Sequence, residues 1–215
     1  MPLLAGNRTV RLPMRRAEIL AGLAVLLVGA PLAFMFASAL ADGEVRRREA
    51  PLRAILGSDA FEALARGEQT DQHYLGNDRL APDFTLQDRE GRAWRLSDHR
   101  GKVVVLNFWT ITCQPCVEEM PTLEELARIV GERDDVELVT ISTDRTWDQV
   151  STVVAPTSPL TVLLDPDKAI VRDRFGTRLY PETWVIDRDG VIRLRVDGPR
   201  EWSSAIAVDA IESFL

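Results

Sequence analysis

Positions 19–41 form 23 consecutive uncharged, mostly apolar residues (ILAGLAVLLVGAPLAFMFASALA). As a helix this run is about 34 Å long at 1.5 Å per residue, against a hydrocarbon core of roughly 30 Å. It therefore predicts a transmembrane span, with Pro31 kinking the helix rather than ending it. Over 51–65 the apolar positions 52, 55, 56, 60, 63 and 64 follow helical spacing, with Pro51 at the expected start and Gly67 as the stop. This stretch predicts a short solvated spacer helix, with an amphipathic helix lying on the bilayer or on the domain as the alternative, and 68–79 reads as a polar loop.

From residue 81 the pattern changes to short strands alternating with helices. Segments 83–86 and 93–96 flank Arg89-Glu90-Gly91-Arg92 and read as a hairpin. The run KVVVLNF at 102–108 is nearly all apolar, as in a strand buried on both faces. Next come a helix over 113–130, a strand over 136–142, a helix over 146–155 and a strand over 160–164. A short helix over 167–175 precedes strands at 183–187 and 191–196, which pair across Arg188-Asp189-Gly190, and a helix over 202–214 closes the chain. Such alternation implies an α/β sheet with a parallel core and an antiparallel tail, covered on both faces.

Charge sharpens this into four segments. The 215 residues carry a net charge of −7, yet residues 1–18 hold Arg8, Arg11, Arg15 and Arg16 against a single Glu. Arginines before the apolar run place the N-terminus inside. Arg46, Arg47 and Arg48 follow it, mixed with acids, which weakens that orientation without reversing it. The reading is a cytoplasmic basic tail (1–18), an anchor (19–41), an extracytoplasmic stalk (42–80) and a folded domain (81–215). A cleaved signal peptide is the rival, since Ala39-Leu40-Ala41 offers a small-x-small site, but signal apolar regions are about 7–15 residues long. Either way the domain is exported: it is extracytoplasmic (periplasmic) on a single-pass anchor, or free in the periplasm or secreted if cleaved. Its acidic balance excludes nucleic acid as a partner, because phosphate binding needs a positive field.

The two cysteines both lie in Cys113-Gln114-Pro115-Cys116, after the buried strand and at the start of a helix. Unpaired N–H groups and the helix dipole there stabilise an anion, so Cys113 is the candidate nucleophile, with a lowered thiol pKa. Cys116, one turn on, is the resolving thiol, and residues three apart on a helix are close enough for a disulfide. A purely structural bridge closing so short a loop contributes only about 2 kcal/mol. A zinc site lacks ligands, since His73 and His99 are the only imidazoles and neither has ligand spacing. No metal or other cofactor is expected.

Asn107-Phe108-Trp109 followed by Cys113-Gln114-Pro115-Cys116-Val117-Glu118-Glu119-Met120-Pro121 resembles the active-site run of membrane-anchored, extracytoplasmic thioredoxin-like proteins of the TlpA/ResA type. Ala81-Pro82-Asp83-Phe84-Thr85-Leu86 and Tyr180-Pro181-Glu182-Thr183-Trp184-Val185-Ile186-Asp187 are similar too, and in the same order. The resemblance implies a thioredoxin fold with an N-terminal β-hairpin and a helix–strand insertion over 146–164. It implies a redox-active Cys113–Cys116 disulfide and a cis Pro181 facing it, whose loop would take an extended substrate segment; Tyr180 and Thr112 are expected on that substrate side, as is Trp109, which is expected to pack beside the dithiol. It also implies that Glu119 assists protonation of the buried cysteine. Residue by residue, Glu119 stands three after Cys116, where a partly desolvated carboxyl can have a raised pKa and move a proton. As an acid early in a helix it would equally be favoured by the dipole alone. Thr112 departs from the family, which usually carries an aromatic residue just before the first cysteine.

The leading function is thus a membrane-tethered thiol-disulfide oxidoreductase that reduces disulfides of protein substrates, in cytochrome c maturation or metalloprotein assembly. The resemblance implies a membrane electron donor that recharges the dithiol. Direction is set by redox potential, which residues do not display. Two alternatives compete. A thiol peroxidase would use Thr110, three before Cys113, but has Leu106 where that motif has Pro. A copper-binding module on the same fold would need a His after the cysteines, and both lie before them.

Overall fold

The computed structural model describes residues 25–56, 61–62 and 79–215. The chain divides into two compact units, Met1–Arg47 and Arg48–Leu215. The basic tail and positions 19–24 of the apolar run lie outside the described residues. A π-helical turn at Val25–Gly29 leads into α1 (Ala30–Leu56). No helix among the described residues is long and apolar enough to cross a membrane. Leu27, Leu32, Phe34, Met35, Phe36 and Leu40 are all exposed.

The stalk departs from its expected form. Pro51 lies inside α1, not at the start of a separate helix. Proline removes one i→i−4 bond, but Glu, Arg and Ala around it favour helix enough to carry the element through. Ile55 is buried, and Leu52 and Leu56 pack against the same core, so the end of α1 is no solvated spacer. The expected stop at Gly67 and the loop over 68–78 lie outside the described residues.

In the second unit, β1 (Thr85–Gln87) and β2 (Ala93–Arg95) form an antiparallel hairpin. The main sheet comprises β3 (Val103–Trp109), β4 (Val136–Ser142), β5 (Thr161–Leu164), β6 (Glu182–Ile186) and β7 (Ile192–Asp197). Its order is β5-β4-β3-β6-β7; the first three strands are parallel and β6 and β7 run antiparallel to their neighbours. This is the thioredoxin-like α/β arrangement. All seven residues of β3 are buried and alternate between two cores. Val103, Val105 and Trp109 face the core that holds α2 (Gln114–Val130) and α4 (Ala205–Glu212), while Val104, Leu106 and Phe108 face the other.

Three expected helices are shortened or absent. The one over 146–155 is reduced to α3 (Trp147–Val150), opened by a Thr146–Gln149 capping box. The Ser151 and Thr152 hydroxyls then donate to the carbonyls of Trp147 and Gln149, competing with helix continuation. Residues 167–175 form turns, not a helix. Lys168 adopts φ +59°, and buried Asp165 takes the N–H groups of Ile170 and Val171 at 3.0 and 2.8 Å. That folds the segment inward and seats Phe175 edge-on to Phe84, Phe108 and Trp184. The last helix begins at Ala205, after its N-cap Ser204, because Trp202 is drawn into the core instead.

Candidate active site

β3 ends at Trp109, and three residues carry the chain to the N-terminus of α2. Cys113 is the N-cap of that helix: its Sγ accepts the Cys116 N–H at 3.2 Å. Pro115 at the first turn suits a position where a backbone donor would be unpaired anyway. Cys113 and Cys116 are joined in a disulfide, with Cα atoms 5.3 Å apart. The two sulfurs are not equivalent. Cys113 is partly exposed, flanked by exposed Thr112, Gln114 and Pro115, whereas Cys116 is completely buried. An incoming disulfide can reach only Cys113, and the helix N-terminus favours the thiolate there when the pair is reduced.

The turn that presents Cys113 is pinned from β4. Buried Asp144 accepts Thr110 Oγ1 at 2.8 Å, the Ile111 N–H at 3.0 Å and Ser142 Oγ at 2.7 Å. The Cys113 N–H completes the turn by donating to the Thr110 carbonyl at 3.1 Å. Thr110 is thereby engaged by Asp144, with Thr112 Oγ1 3.5 Å away.

Glu119 sits one turn after Cys116 and is 3% exposed. Oε1 accepts from Asn107 Nδ2 at 2.9 Å; Oε2 accepts from the Arg200 N–H at 3.1 Å and from Trp202 Nε1 at 3.3 Å. Asn107 Nδ2 also donates to Thr183 Oγ1 at 2.9 Å. Thr122 Oγ1 accepts the Trp202 N–H at 3.2 Å, tying the loop after β7 to α2. Burial raises the Glu119 pKa; the hydrogen bonds from Asn107, Arg200 and Trp202, and the Arg200 charge, pull the other way without cancelling it.

The Tyr180–Pro181 bond is cis. Glu182 pairs with Phe108, which places Pro181 at the same end of the sheet as Trp109 and the turn to Cys113. Pro181 is buried, Tyr180 is half-buried and Leu179 beside them is 83% exposed. Burial raises the Tyr180 phenol, opposed by its hydrogen bond with Thr143. Glu182 is buried with Thr177 Oγ1 at 2.7 Å and an Arg195 Nη2 at 3.2 Å, and burial raises its pKa as well.

Of the residues singled out from sequence, Cys113, Cys116, Glu119 and Trp109 come together on the α2 side of the sheet. Trp109 shares the core that holds Cys116, as a residue packing beside the dithiol would, but it is completely buried there and so offers no surface to a substrate. Thr112 is exposed beside Cys113. The sequence assigns no site role to Asn107, Asp144, Thr183, Arg200 or Trp202, although Asn107 and Thr183 stand in the runs that carry the resemblance. Asn107 alone carried a signal, as the one polar side chain in an otherwise apolar strand, where burial demands a partner. His99 stacks on Trp94 with ring centroids 4.4 Å apart, and His73 lies outside the described residues. Among the described residues no cluster of three or more His, Cys, Asp and Glu could hold a metal ion.

Residues 78–195 match the AhpC/TSA family. The chain is 32% identical over 148 residues to the thiol-disulfide oxidoreductase ResA of Bacillus thuringiensis subsp. konkukian, covering 68% of this chain and 84% of that protein. It is 34% identical over 113 residues to the thioredoxin-like protein YneN of Bacillus subtilis, covering 53% of this chain and 66% of that one. A structure assigned as the thiol:disulfide interchange protein DsbE of Chlorobium tepidum superposes with a TM-score of 0.57 at 26% identity, covering 66% of this chain and 99% of that one.

Proposed function

The chain belongs to the AhpC/TSA family, as a thiol-disulfide oxidoreductase of the TlpA/ResA type, and we propose that it acts outside the cytoplasm as a reductase of protein disulfides. The observation that carries the reading is the unequal burial of the sulfurs at the N-terminus of α2: Cys113 within reach of a partner and Cys116 completely buried behind it.

In the reduced protein the Cys113 thiolate attacks one sulfur of a client disulfide, forming a mixed disulfide and expelling the other client sulfur as a thiolate, which takes a proton. Cys116 then gives its proton to Glu119 and attacks Cys113 Sγ. The second client sulfur is expelled as a thiolate and takes a proton as Glu119 gives its own back, so the client leaves as a dithiol, two electrons richer, and the protein is left with the Cys113–Cys116 disulfide. Each half is thiolate exchange, favoured by a good nucleophile and an accessible sulfur. Glu119 suits the proton step because burial lifts its affinity for a proton while its donors still support the carboxylate. The segment Leu179–Tyr180–Pro181 is the surface against which an extended client strand would lie, with Thr112 at its edge.

The apolar run at 19–41 serves as the membrane anchor and 42–80 as the stalk. Support comes from seven large apolar side chains standing exposed along the described part of the run, Val28 among them, a pattern expected of a surface meant for lipid. A membrane electron donor returns the dithiol to its reduced state, and the clients belong to cytochrome c maturation or metalloprotein assembly. Reduction of a protein disulfide in vitro tests the reading. Cys113→Ser should abolish turnover, and Cys116→Ser should stop it after one mixed disulfide; full activity of Cys113→Ser overturns it.

A further inference from the structure

The groups around the Glu119 carboxyl are almost all donors. Arg200 presents a backbone N–H, Trp202 an indole N–H and Asn107 an amide NH₂. That set satisfies an ionised carboxylate, but the O–H of a protonated Glu119 would find no acceptor among them. One acceptor atom does lie in this group. Asn107 Oδ1 is completely buried and has no hydrogen-bond partner among the described residues, while its Nδ2 serves both Glu119 Oε1 and Thr183 Oγ1 at 2.9 Å each.

We propose that Asn107 is a positioning residue whose side-chain amide turns over when Glu119 takes up a proton, so that Oδ1 replaces Nδ2 against the carboxyl. A half-turn about the terminal side-chain bond exchanges oxygen and nitrogen with little movement of other atoms. Oδ1 then accepts from the new Glu119 O–H and from the Thr183 hydroxyl, which is an acceptor in one state and a donor in the other. The turned amide leaves both Nδ2 hydrogens where Oδ1 had no partner, so it is the less favourable arrangement. The amide therefore returns when the proton departs, and the proton taken from Cys116 is held only transiently. Among the described residues, Arg200, from the loop after β7, is the charged group at the Glu119 carboxyl, with Cys116 one turn before it on α2; β3 and β6 contribute uncharged Asn107 and Thr183.

This rests on Glu119 as the proton acceptor of the proposed exchange, and its test does not depend on turnover. The full-length oxidised chain, ¹³C- and ¹⁵N-labelled at Asn and Glu, is titrated by NMR. The Asn107 Cγ and Nδ2 resonances should move with the midpoint of the Glu119 carboxyl, and Glu119→Gln should leave them fixed. Asn107 resonances that stay constant while Glu119 titrates overturn the proposal. Failure of the reductase reading would show itself separately, as a wild-type chain that reduces no disulfide.

Discussion

The indole of Trp202 donates from Nε1 to Oε2 of Glu119 across 3.3 Å, joining residues 83 positions apart. The loop between β7 and α4 thereby becomes a wall of the active site. Its other donor is the Arg200 N–H, whose side chain reaches the carbonyl of Ile55 at 3.4 Å near the end of α1. A carboxyl on α2, a loop of the sheet's antiparallel tail and the last turn of the stalk helix thus share one polar seam.

That seam gives stability a pH dependence of definite sign. Burial raises the Glu119 pKa above its ordinary 4.5. A carboxyl raised in the folded protein contributes stability that is fully present below the ordinary value and is lost as pH rises through the folded one. Glu119→Gln cannot ionise and should lack this loss. The melting temperature of the variant relative to wild type should therefore climb as pH rises above the ordinary carboxyl range, whatever its absolute value. Glu182, raised in the same sense, is present in both proteins and drops out of the difference. Melting temperatures that run parallel as pH rises would contradict the account.

Asp144 holds the turn that presents Cys113. Asp144→Ala leaves the Thr110 hydroxyl and the Ile111 N–H without their acceptor. The expected cost is about 1–3 kcal/mol, read as a lower midpoint in urea. Reduced Cys113 should also react faster with a bulky alkylating reagent, because its turn is freed. A midpoint and an alkylation rate equal to wild type would remove Asp144 from this role.

Ile55 makes the stalk part of the folded unit. Ile55→Ala should cost about 2–3 kcal/mol, at the low end for a buried Ile because it sits at the end of a helix. Arg53→Ala, two residues before it on the opposite face, where the exposed side chain meets Phe61 and Glu62, should cost far less. Denaturation of the two variants side by side checks this, and equal losses would mean that the helix end contributes no packing.

Local pattern was enough for the elements that make the frame. The buried strand β3, the helix after it, the hairpin and the antiparallel tail all followed from periodicity and turn residues, because each is stabilised mainly by its own apolar face. The family resemblance supplied the cis bond before Pro181, which no local pattern reveals. What escaped was set by distant partners. Residues 167–175 have helical spacing, yet Asp165 takes two of their N–H groups and Phe175 is pulled to the aromatic core. Trp202 looked like the first residue of a helix until Thr122 and Glu119 claimed its two donors. Asp144 and Arg200 gave no signal, because a lone Asp or Arg in a loop is ordinarily a solvated residue. The stalk differs from its expected form for the opposite reason: Pro51 is a strong local sign of a helix start, overruled by the residues on both sides.

The central claim is that Cys113 alone meets the client and Cys116 resolves it. It is tested most directly by expressing full-length Cys116→Ser in native membranes and separating proteins without reductant. The expected result is a covalent adduct that reductant dissolves and that is absent from the Cys113→Ser, Cys116→Ser double variant. Sustained disulfide reduction by Cys116→Ser with no adduct through Cys113 would contradict it.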